Sequence, residues 1–501
     1  MSSIVNNFSP RLLPGSPARK TALLVNPPVY DTQYWAQWSQ PYGLLRIAAL
    51  LKKYGYKRIE LFDFMEVEDP KKIHKHRINP NESYAEEDEP STPIRPYLIA
   101  KDGEELKLFK YHFGKTWAEF EQWLDERFPR RGPDEIFISA IMTYWWESVR
   151  DLTLRLKRRF PKSTILLGGI YPTLVPQHAK EFTAADLIVV GEVAEANDLW
   201  TDLSLYEKPP SYAIITPSRG CPFACAYCAA NVLNDGKRMV RFRPPEDVLA
   251  EMRDKYETYG IKEFAFYADF LLFRPMENFA KVLEGIIQEK LPFRLHAPEG
   301  LDVSVLSSSQ RLIDLMKAAG FQKIYLPCES IDEQFLCRMN RQHVRTEHFV
   351  KAVKMCERAG FRLRNRYVHA FVLYGLPEEK IDTVVKTIIF VSEIVGSIIP
   401  MLFTPVPATQ VYQRYLPYIK ERGWDKDLHM LNGKLYPFLE LNEGSVSDYI
   451  DLQRLMFMLN SNYRTRSFQL FGNTRVSELF RRNLNDDFGS VIKRYKQRTA
   501  N

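Results

Sequence analysis

Three cysteines fall within one short run, Ser218-Arg219-Gly220-Cys221-Pro222-Phe223-Ala224-Cys225-Ala226-Tyr227-Cys228. Spacings of four and three put three thiolates on one tight loop, and thiolates are the soft ligands that iron–sulfur clusters take. Three, not four, is the informative number, because a cubane held by three cysteines keeps one iron open to another ligand. The alternatives are zinc and plain packing. Structural zinc takes four closed ligands, usually as CxxC pairs, and no nearby Cys or His completes such a set. Chance cysteines of a hydrophobic core rarely sit so close together. Cys328, at a strand end, reads as a small buried hydrophobe, with a catalytic thiol as the alternative. Cys337 and Cys356 lie on helical stretches, too far from the trio and from each other to form a second cluster. Six cysteines in 501 residues, three of them clustered, suit metal binding in a reducing compartment better than a disulfide framework.

The loop must be presented by an element, and the pattern supplies one. Strand candidates from residue 211 onward are YAIITPS, EFAFYADF, FRLHAPEG, KIYLPCES, VHAFVLYG and SIIPMLFTP. Amphipathic helical stretches lie between them, and six βα units in about 190 residues predict a partial or full parallel barrel. Upstream, TALLVNPPV, IELFDF, DEIFISAIMT, TILLGGIYPT and DLIVVGE alternate with helical YGLLRIAALLKKYGY and ESVRDLTLRLKRRF. That rhythm predicts a doubly wound, Rossmann-like parallel sheet. The expected class is α/β, with domains at 1–200, 201–410 and 411–501, the last a helical extension. An insertion covers about 65–130. Its polar, Pro-rich first part reads as a mobile loop and TWAEFEQWLDERF as an amphipathic helix. The first twenty residues read as a short flexible lead-in.

Composition is globular: 45% hydrophobic, 13% aromatic and 26% charged. The net charge of +7 is spread thinly. Without a clustered basic stripe interleaved with aromatics, nucleic-acid binding is not expected. No apolar run approaches the length of a membrane span, and no signal-peptide pattern opens the chain, so a cytoplasmic location is expected.

CxxxCxxC with an aromatic just before the third cysteine, after the first strand of a six-unit αβ series, resembles the radical S-adenosylmethionine (SAM) superfamily over roughly residues 210–410. The resemblance implies that Cys221, Cys225 and Cys228 hold a [4Fe–4S] cluster and that SAM chelates its open iron. One electron then breaks a C–S bond of SAM, giving a 5′-deoxyadenosyl radical that takes hydrogen from an unactivated C–H bond. It also implies an electron donor such as flavodoxin or ferredoxin. By motif, Tyr227 lies against the SAM adenine. Asp269, in FYADF, stands where the family places a polar group for the SAM amino end, although the GGEP form is absent. Glu329 and Ser330 match the fourth-strand G-x-E-S segment that contacts SAM, with Pro327-Cys328 where small residues are commoner. Gly375 matches a fifth-strand glycine that admits the adenosyl moiety, and TPVPATQVY resembles TP-x-PGT-x-L/Y with Ala408 in place of glycine. Outside the family, a strand-end carboxylate is a cap or a solvated group, and Gly375 a chain turn.

Residues 1–200 resemble the cobalamin-binding domains fused ahead of many radical SAM enzymes. The matching pieces are NPP after the first strand, Ser139-Ala140-Ile141, LLGGIYPT and VVGE at 189–192. Ser139 could then bond a nucleotide tail, and Gly168 and Gly169 would let that tail approach the backbone. The DxHxxG signature is missing. NPPVYDTQYWAQWSQPYG holds no histidine, so the lower cobalt face would not be held by that residue. The alternative is a scaffold that kept the fold and lost the cofactor. Tyr30, Tyr34, Trp35, Trp38, Tyr144, Trp145 and Trp146 either line a corrin or simply pack. His296, His369, Asp302 and Glu299 are candidate substrate contacts, with satisfied core histidines as the alternative for the first two. Arg364 and Arg366 bind an anion or cover a surface.

The combined resemblance implies cobalamin-dependent methylation of an unactivated carbon on a small-molecule, lipid or peptide substrate. The alternatives are radical cyclisation, oxidation or rearrangement without methyl transfer, and a non-enzymatic cobalamin or cluster sensor.

Overall fold

The computed structural model describes residues 2–34, 38–66, 75–77, 97–363, 367–461 and 474–485. Six strands form one parallel sheet: β1 (Ser3–Asn6), β2 (Thr21–Asn26), β3 (Arg58–Asp63), β4 (Glu135–Ser139), β5 (Thr164–Gly168) and β6 (Leu187–Val190), in the order β1-β6-β5-β4-β2-β3. Strand β2 is apolar from Ala22 to Val25 because both its faces are covered. Ala22 and Leu24 pack with Leu44, Ala48 and Leu51 of helix α1 (Tyr42–Lys53). Leu23 and Val25 pack on the opposite face. Helix α2 (Trp117–Arg127) contributes Phe120 and Leu124 to that side, and helix α3 (Trp146–Arg159) contributes Val149, Leu152 and Leu156. The period-two alternation of one strand thus sorts the helices into two layers. The winding reverses between β2 and β4, so a crevice opens at their C-terminal ends, the usual ligand position of such sheets.

One expectation fails here. The supposed lead-in contains β1, paired in register with β6 from Ser3↔Leu187 to Asn6↔Val190. Four residues are too few to show a period, and the strand exists because the sheet edge offers it partners. The later part of the insertion, after the polar run, is ordered. Residues Tyr97–Lys101 and Glu104–Leu108 form a hairpin, and Tyr111–Phe113 pairs with Val29–Asp31. Thr116 and Glu119 cap α2 reciprocally, as a capping box predicts. Residues 67–74 and 78–96, within the expected loop, lie outside the described residues.

The second series gives β7 (Ala213–Ile215), β8 (Glu263–Phe266) and β9 (Arg294–His296) in one parallel sheet. Strands β10 (Ile324–Glu329), β11 (Val368–Tyr374) and β12 (Ile398–Leu402) form another. A parallel bridge Leu295↔Phe321 and the bond from Leu301 N–H to Tyr325 O (2.9 Å) join them into six consecutive strands of a partial barrel. Helix α4 (Pro245–Tyr259) stops at Gly260, left-handed at φ +71°. Helices α5 (Phe279–Gln288), α6 (Gln310–Ala318), α7 (Thr346–Arg358) and α8 (Ile381–Ile394) follow in order. The open edge at β12 is blunted by helix α9 (Val446–Ser461): Asn460 accepts from Ile398 N–H and donates to Ile398 O, both at 2.7 Å, imitating a neighbouring strand.

The C-terminal helical part also ties the two sheets together. Lys101 Nζ donates to the carbonyls of Leu439, Asn442 and Gly444 at 3.2, 2.5 and 2.7 Å. Asp31, fully buried beside β2, accepts from Trp145 Nε1 (2.9 Å), Asn432 Nδ2 (2.9 Å) and Lys434 Nζ (2.8 Å). Ala408, where the resemblance expects glycine, sits at φ +66°. A left-handed alanine costs roughly 1–2 kcal/mol, partly offset by glycine's greater unfolded-state entropy. Ala408→Gly is therefore expected to stabilise by about 0.5–1 kcal/mol and raise the thermal midpoint by about 2 °C. An unchanged or lower midpoint in calorimetry would show the strain is absent.

Candidate functional site

The C-terminal ends of the N-terminal sheet and of the β7–β9 sheet face one cavity of about 510 Å³. From the N-terminal sheet come Asn26 and Pro27 after β2, Ser139 and Ala140 at β4, Gly168 and Gly169 at β5, and Gly191 and Glu192 after β6. From the barrel side come Ile214, Arg219, Leu233, Tyr267 and Glu299. The wall is mainly apolar. Of the expected aromatics, Tyr34, Trp38 and Trp145 line it. Tyr30 instead accepts from Trp117 Nε1 at 3.1 Å, and Trp146 packs on His178 and Phe182. Trp35 lies outside the described residues, and among those described no histidine lines the cavity.

The two glycines differ. A Cβ on Gly168 would meet only Val189 Cβ at 3.7 Å. Gly169 has φ +102°, and a Cβ there would stand 2.5 Å from Ala140 O and 3.0 Å from Ser139 Oγ. Only Gly169 is required to be glycine, and it leaves bare backbone beside Ser139 at the cavity edge. Arg46 of α1 is buried on the cavity wall, and its Nε has no partner among the described residues. A large apolar chamber with a backbone cradle and a spare buried donor fits a flat, mostly apolar cofactor bearing polar edges.

The cysteine loop follows β7. Ala226 N–H donates to Met339 O (2.8 Å), Val411 N–H donates to Ala226 O (3.0 Å), and Phe223 stacks on His343 with ring centres 3.6 Å apart. Gly220, at φ +89°, donates its N–H to Asp269 Oδ2 at 2.7 Å. Cys225 is buried and Cys228 exposed. Burial, with the neighbouring thiols adding to it, pushes the Cys221 thiol up to about 12, and crowding of the Cys228 sulfur by surrounding protein atoms raises it although the residue keeps an open surface. Three crowded thiols of this kind become thiolates when cationic metal replaces their protons, which suits an iron cluster. No three His, Cys, Asp or Glu side chains among the described residues converge on one ion. A cubane instead spreads its thiolates over separate irons.

Arg341, not foreseen from the sequence, organises this region. Its Nη1 lies 3.3 Å from Cys225 Sγ, its Nη2 donates to Glu329 Oε1 at 2.9 Å, and its guanidinium stands 5.8 Å from the Tyr227 ring centre. Glu329 reaches it from a β-bulge, at φ +60°. Arg341 Nε and Tyr227 Oη are buried without partners among the described residues. Two such groups beside Cys225 fit a polar ligand carrying a carboxylate.

The remaining candidates separate. Ser330 Oγ accepts from Asp332 N–H (3.1 Å), a local turn contact. Gly375 N–H donates to buried Glu379 at 2.7 Å, and its neighbour Leu376 packs with Ala226 of the cysteine loop. Asp302 caps a short helix through Val305 N–H at 3.0 Å. His296 pairs with Glu263 and packs on Trp38. His369 bonds Ser397 Oγ at 2.9 Å and stacks on Tyr325. Both histidines thus have structural partners. Burial raises the Cys328 thiol, as expected of a small core residue. Arg364 and Arg366 lie outside the described residues.

Glu299 opens onto the cavity. Crowding by protein atoms, and then the charge of Asp269, push its carboxyl up to about 7. Between its ordinary value and about 7, the folded chain keeps a proton that the unfolded chain has released, so this group's contribution to stability falls as pH rises through that window. The thermal midpoint of Glu299→Gln is therefore expected to rise relative to the parent between about pH 5 and pH 8. Parallel midpoint curves would rule the shift out.

Comparison with known proteins agrees with this geometry. Residues 215–391 match the Radical SAM superfamily model. An uncharacterized methyltransferase of Pyrococcus horikoshii is 26% identical over 209 residues, covering 40% of this chain and 41% of that protein. The chain thus spans about two fifths of that relative's length. A tRNA-2-methylthio-N(6)-dimethylallyladenosine synthase of Clostridium botulinum is 22% identical over 337 residues, 65% of this chain and 70% of that one. Among solved structures, the radical S-adenosylmethionine methyltransferase TsrM of Kitasatospora setae, with cobalamin and [4Fe–4S] cluster bound, superposes with a TM-score of 0.55. It is 16% identical and covers 78% of this chain and 77% of its own. The barrel segment 215–391, with the cysteine loop after its first strand, is thus similar to the radical SAM superfamily, and the two-part fold is similar to that of TsrM.

Proposed function

We propose that this protein is a cobalamin-dependent radical SAM methyltransferase acting on an unactivated carbon. The observation that carries the reading is one cavity bounded by the C-terminal edges of the N-terminal sheet and of the β7–β9 sheet, with the cysteine-loop strand on its wall through Arg219. In this reading Cys221, Cys225 and Cys228 hold a [4Fe–4S] cluster. Arg341 and Tyr227 hold SAM beside it, with Asp269, Glu329, Ser330 and Gly375 shaping that end. Ser139, Gly168 and Gly169 receive the cobalamin tail, residues 1–200 forming its domain and 201–410 the barrel. When bound, these groups supply an adenosyl radical and a transferable methyl.

The chain's own residues do the positioning. Glu329 fixes Arg341 so that one guanidinium edge faces Cys225, leaving Nε free for a ligand. Trp38, Tyr34 and Trp145 wall the chamber and keep water from it. Glu299, protonated below about pH 7, can donate or accept a hydrogen bond at its carboxyl facing the substrate space. The relatives that share the fold include enzymes named for methyl transfer, which supports the reaction class. The substrate is a small molecule, lipid or peptide, and a flavodoxin- or ferredoxin-type protein supplies the electron.

The test is product analysis after anaerobic reconstitution with cobalamin, SAM and reductant. Methylation is expected to yield S-adenosylhomocysteine together with 5′-deoxyadenosine. Deoxyadenosine alone would assign a radical reaction without methyl transfer, and neither product would remove the enzymatic reading.

A further inference from the structure

Arg219 and Arg241 stand directly opposite each other in the two-residue antiparallel ladder that pairs Ser218 with Phe242. Like charges facing across a ladder destabilise it, and this ladder leads straight into Gly220 and Cys221. The carboxylate that reconciles them comes from the other sheet. Glu192, just beyond β6, accepts from Arg219 Nε at 3.1 Å, Arg241 Nη2 at 2.6 Å and Asn197 Nδ2 at 2.8 Å. Glu192 and Arg219 both line the cavity. Gly191, at φ +81° with open space around it, turns the chain so that Glu192 can reach across.

We propose that Glu192 is a positioning residue for the cysteine loop: by neutralising the Arg219–Arg241 pair, it holds the strand that presents Cys221 against the edge of the N-terminal sheet. The inference rests on the cluster assignment above. It makes the geometry of the thiolates depend on a residue outside the barrel that bears them. The bond from Gly220 N–H to Asp269 braces the loop from the barrel side, so losing Glu192 loosens the loop without unfolding it.

Hydrogen exchange on the full-length chain without cofactors tests the first half. In Glu192→Ala, amides across residues 218–221 and 241–243 are expected to exchange about tenfold faster. Adding Arg241→Gln removes one of the facing cations and should bring the rate back to within about twofold of the parent. Glu192→Gln, which keeps the shape, should give an intermediate rise of about threefold and serves if the alanine variant does not fold. The second half is read spectroscopically after anaerobic reconstitution. The change that SAM produces in the electron paramagnetic resonance of the reduced cluster should be diminished in Glu192→Ala and restored in the double variant. Unchanged exchange, a double variant as labile as the single, or faster exchange with an unaltered cluster signal each overturns the proposal. If the parent chain takes up no cluster, the cluster assignment fails, and the exchange result alone decides whether Glu192 holds the loop.

Discussion

Replacing Cys225 with alanine is expected to abolish reductive SAM cleavage, with 5′-deoxyadenosine formation falling by on the order of a thousandfold or more, equivalent to at least about 4 kcal/mol in the barrier. The loss should be chemical, not conformational. The loop backbone is held independently of the thiol, by Ala226 N–H on Met339 O, by Val411 N–H on Ala226 O and by the Phe223–His343 stack. The thiol itself sits 3.3 Å from Arg341 Nη1, so its removal also leaves that group without its sulfur partner. Cys328→Ala is the control. That sulfur is buried in the barrel core, and its loss should cost about 1 kcal/mol of stability with activity within about twofold. Equal activity losses in the two variants would show that the cysteines matter only for packing. Full activity in Cys225→Ala would remove the cluster from the loop.

The second large effect is expected at neighbouring glycines. Gly169→Ala forces a side chain into a left-handed position and places Cβ 2.5 Å from a backbone oxygen. It should destabilise the N-terminal sheet by roughly 2–4 kcal/mol and abolish cobalamin retention on gel filtration. Gly168→Ala adds a methyl in ordinary contact with Val189 and should cost under about 1 kcal/mol, with cobalamin kept. The contrast separates a backbone cradle from a generally crowded edge. If both variants retain cobalamin equally, the cofactor does not lie against Gly169.

Much of the site is legible in the sequence because it is local. The trio of cysteines lies on one loop, and each expected strand exists, although several stop short of the apolar run: β8 ends at Phe266, three residues before Asp269, and β5 gives way to a helical turn after Gly168, whereas KIYLPCES carries Glu329 to the end of β10. The Gly168-Gly169 pair is legible too, although only the folded backbone distinguishes a required glycine from a permitted one. What stayed hidden depends on partners far along the chain. Arg341 lies 116 residues from Cys225, and Asn432 lies 401 residues from Asp31. No periodicity or motif encodes such pairs. The strand Ser3–Asn6 was hidden for a related reason, since a four-residue edge strand is specified by the edge it joins. Glu192 is legible in the sequence only as part of VVGE; its bonds to Arg219 and Arg241 depend on how the N-terminal sheet meets the barrel.

The most direct test is the electron paramagnetic resonance spectrum of the reduced, anaerobically reconstituted chain, recorded with and without SAM. Three thiolates leaving one iron unclaimed should give a [4Fe–4S] signal whose shape changes when the sulfonium ligand is added. A chain that forms no such cluster, or one whose signal is indifferent to SAM, would contradict the assignment on which every proposed role rests.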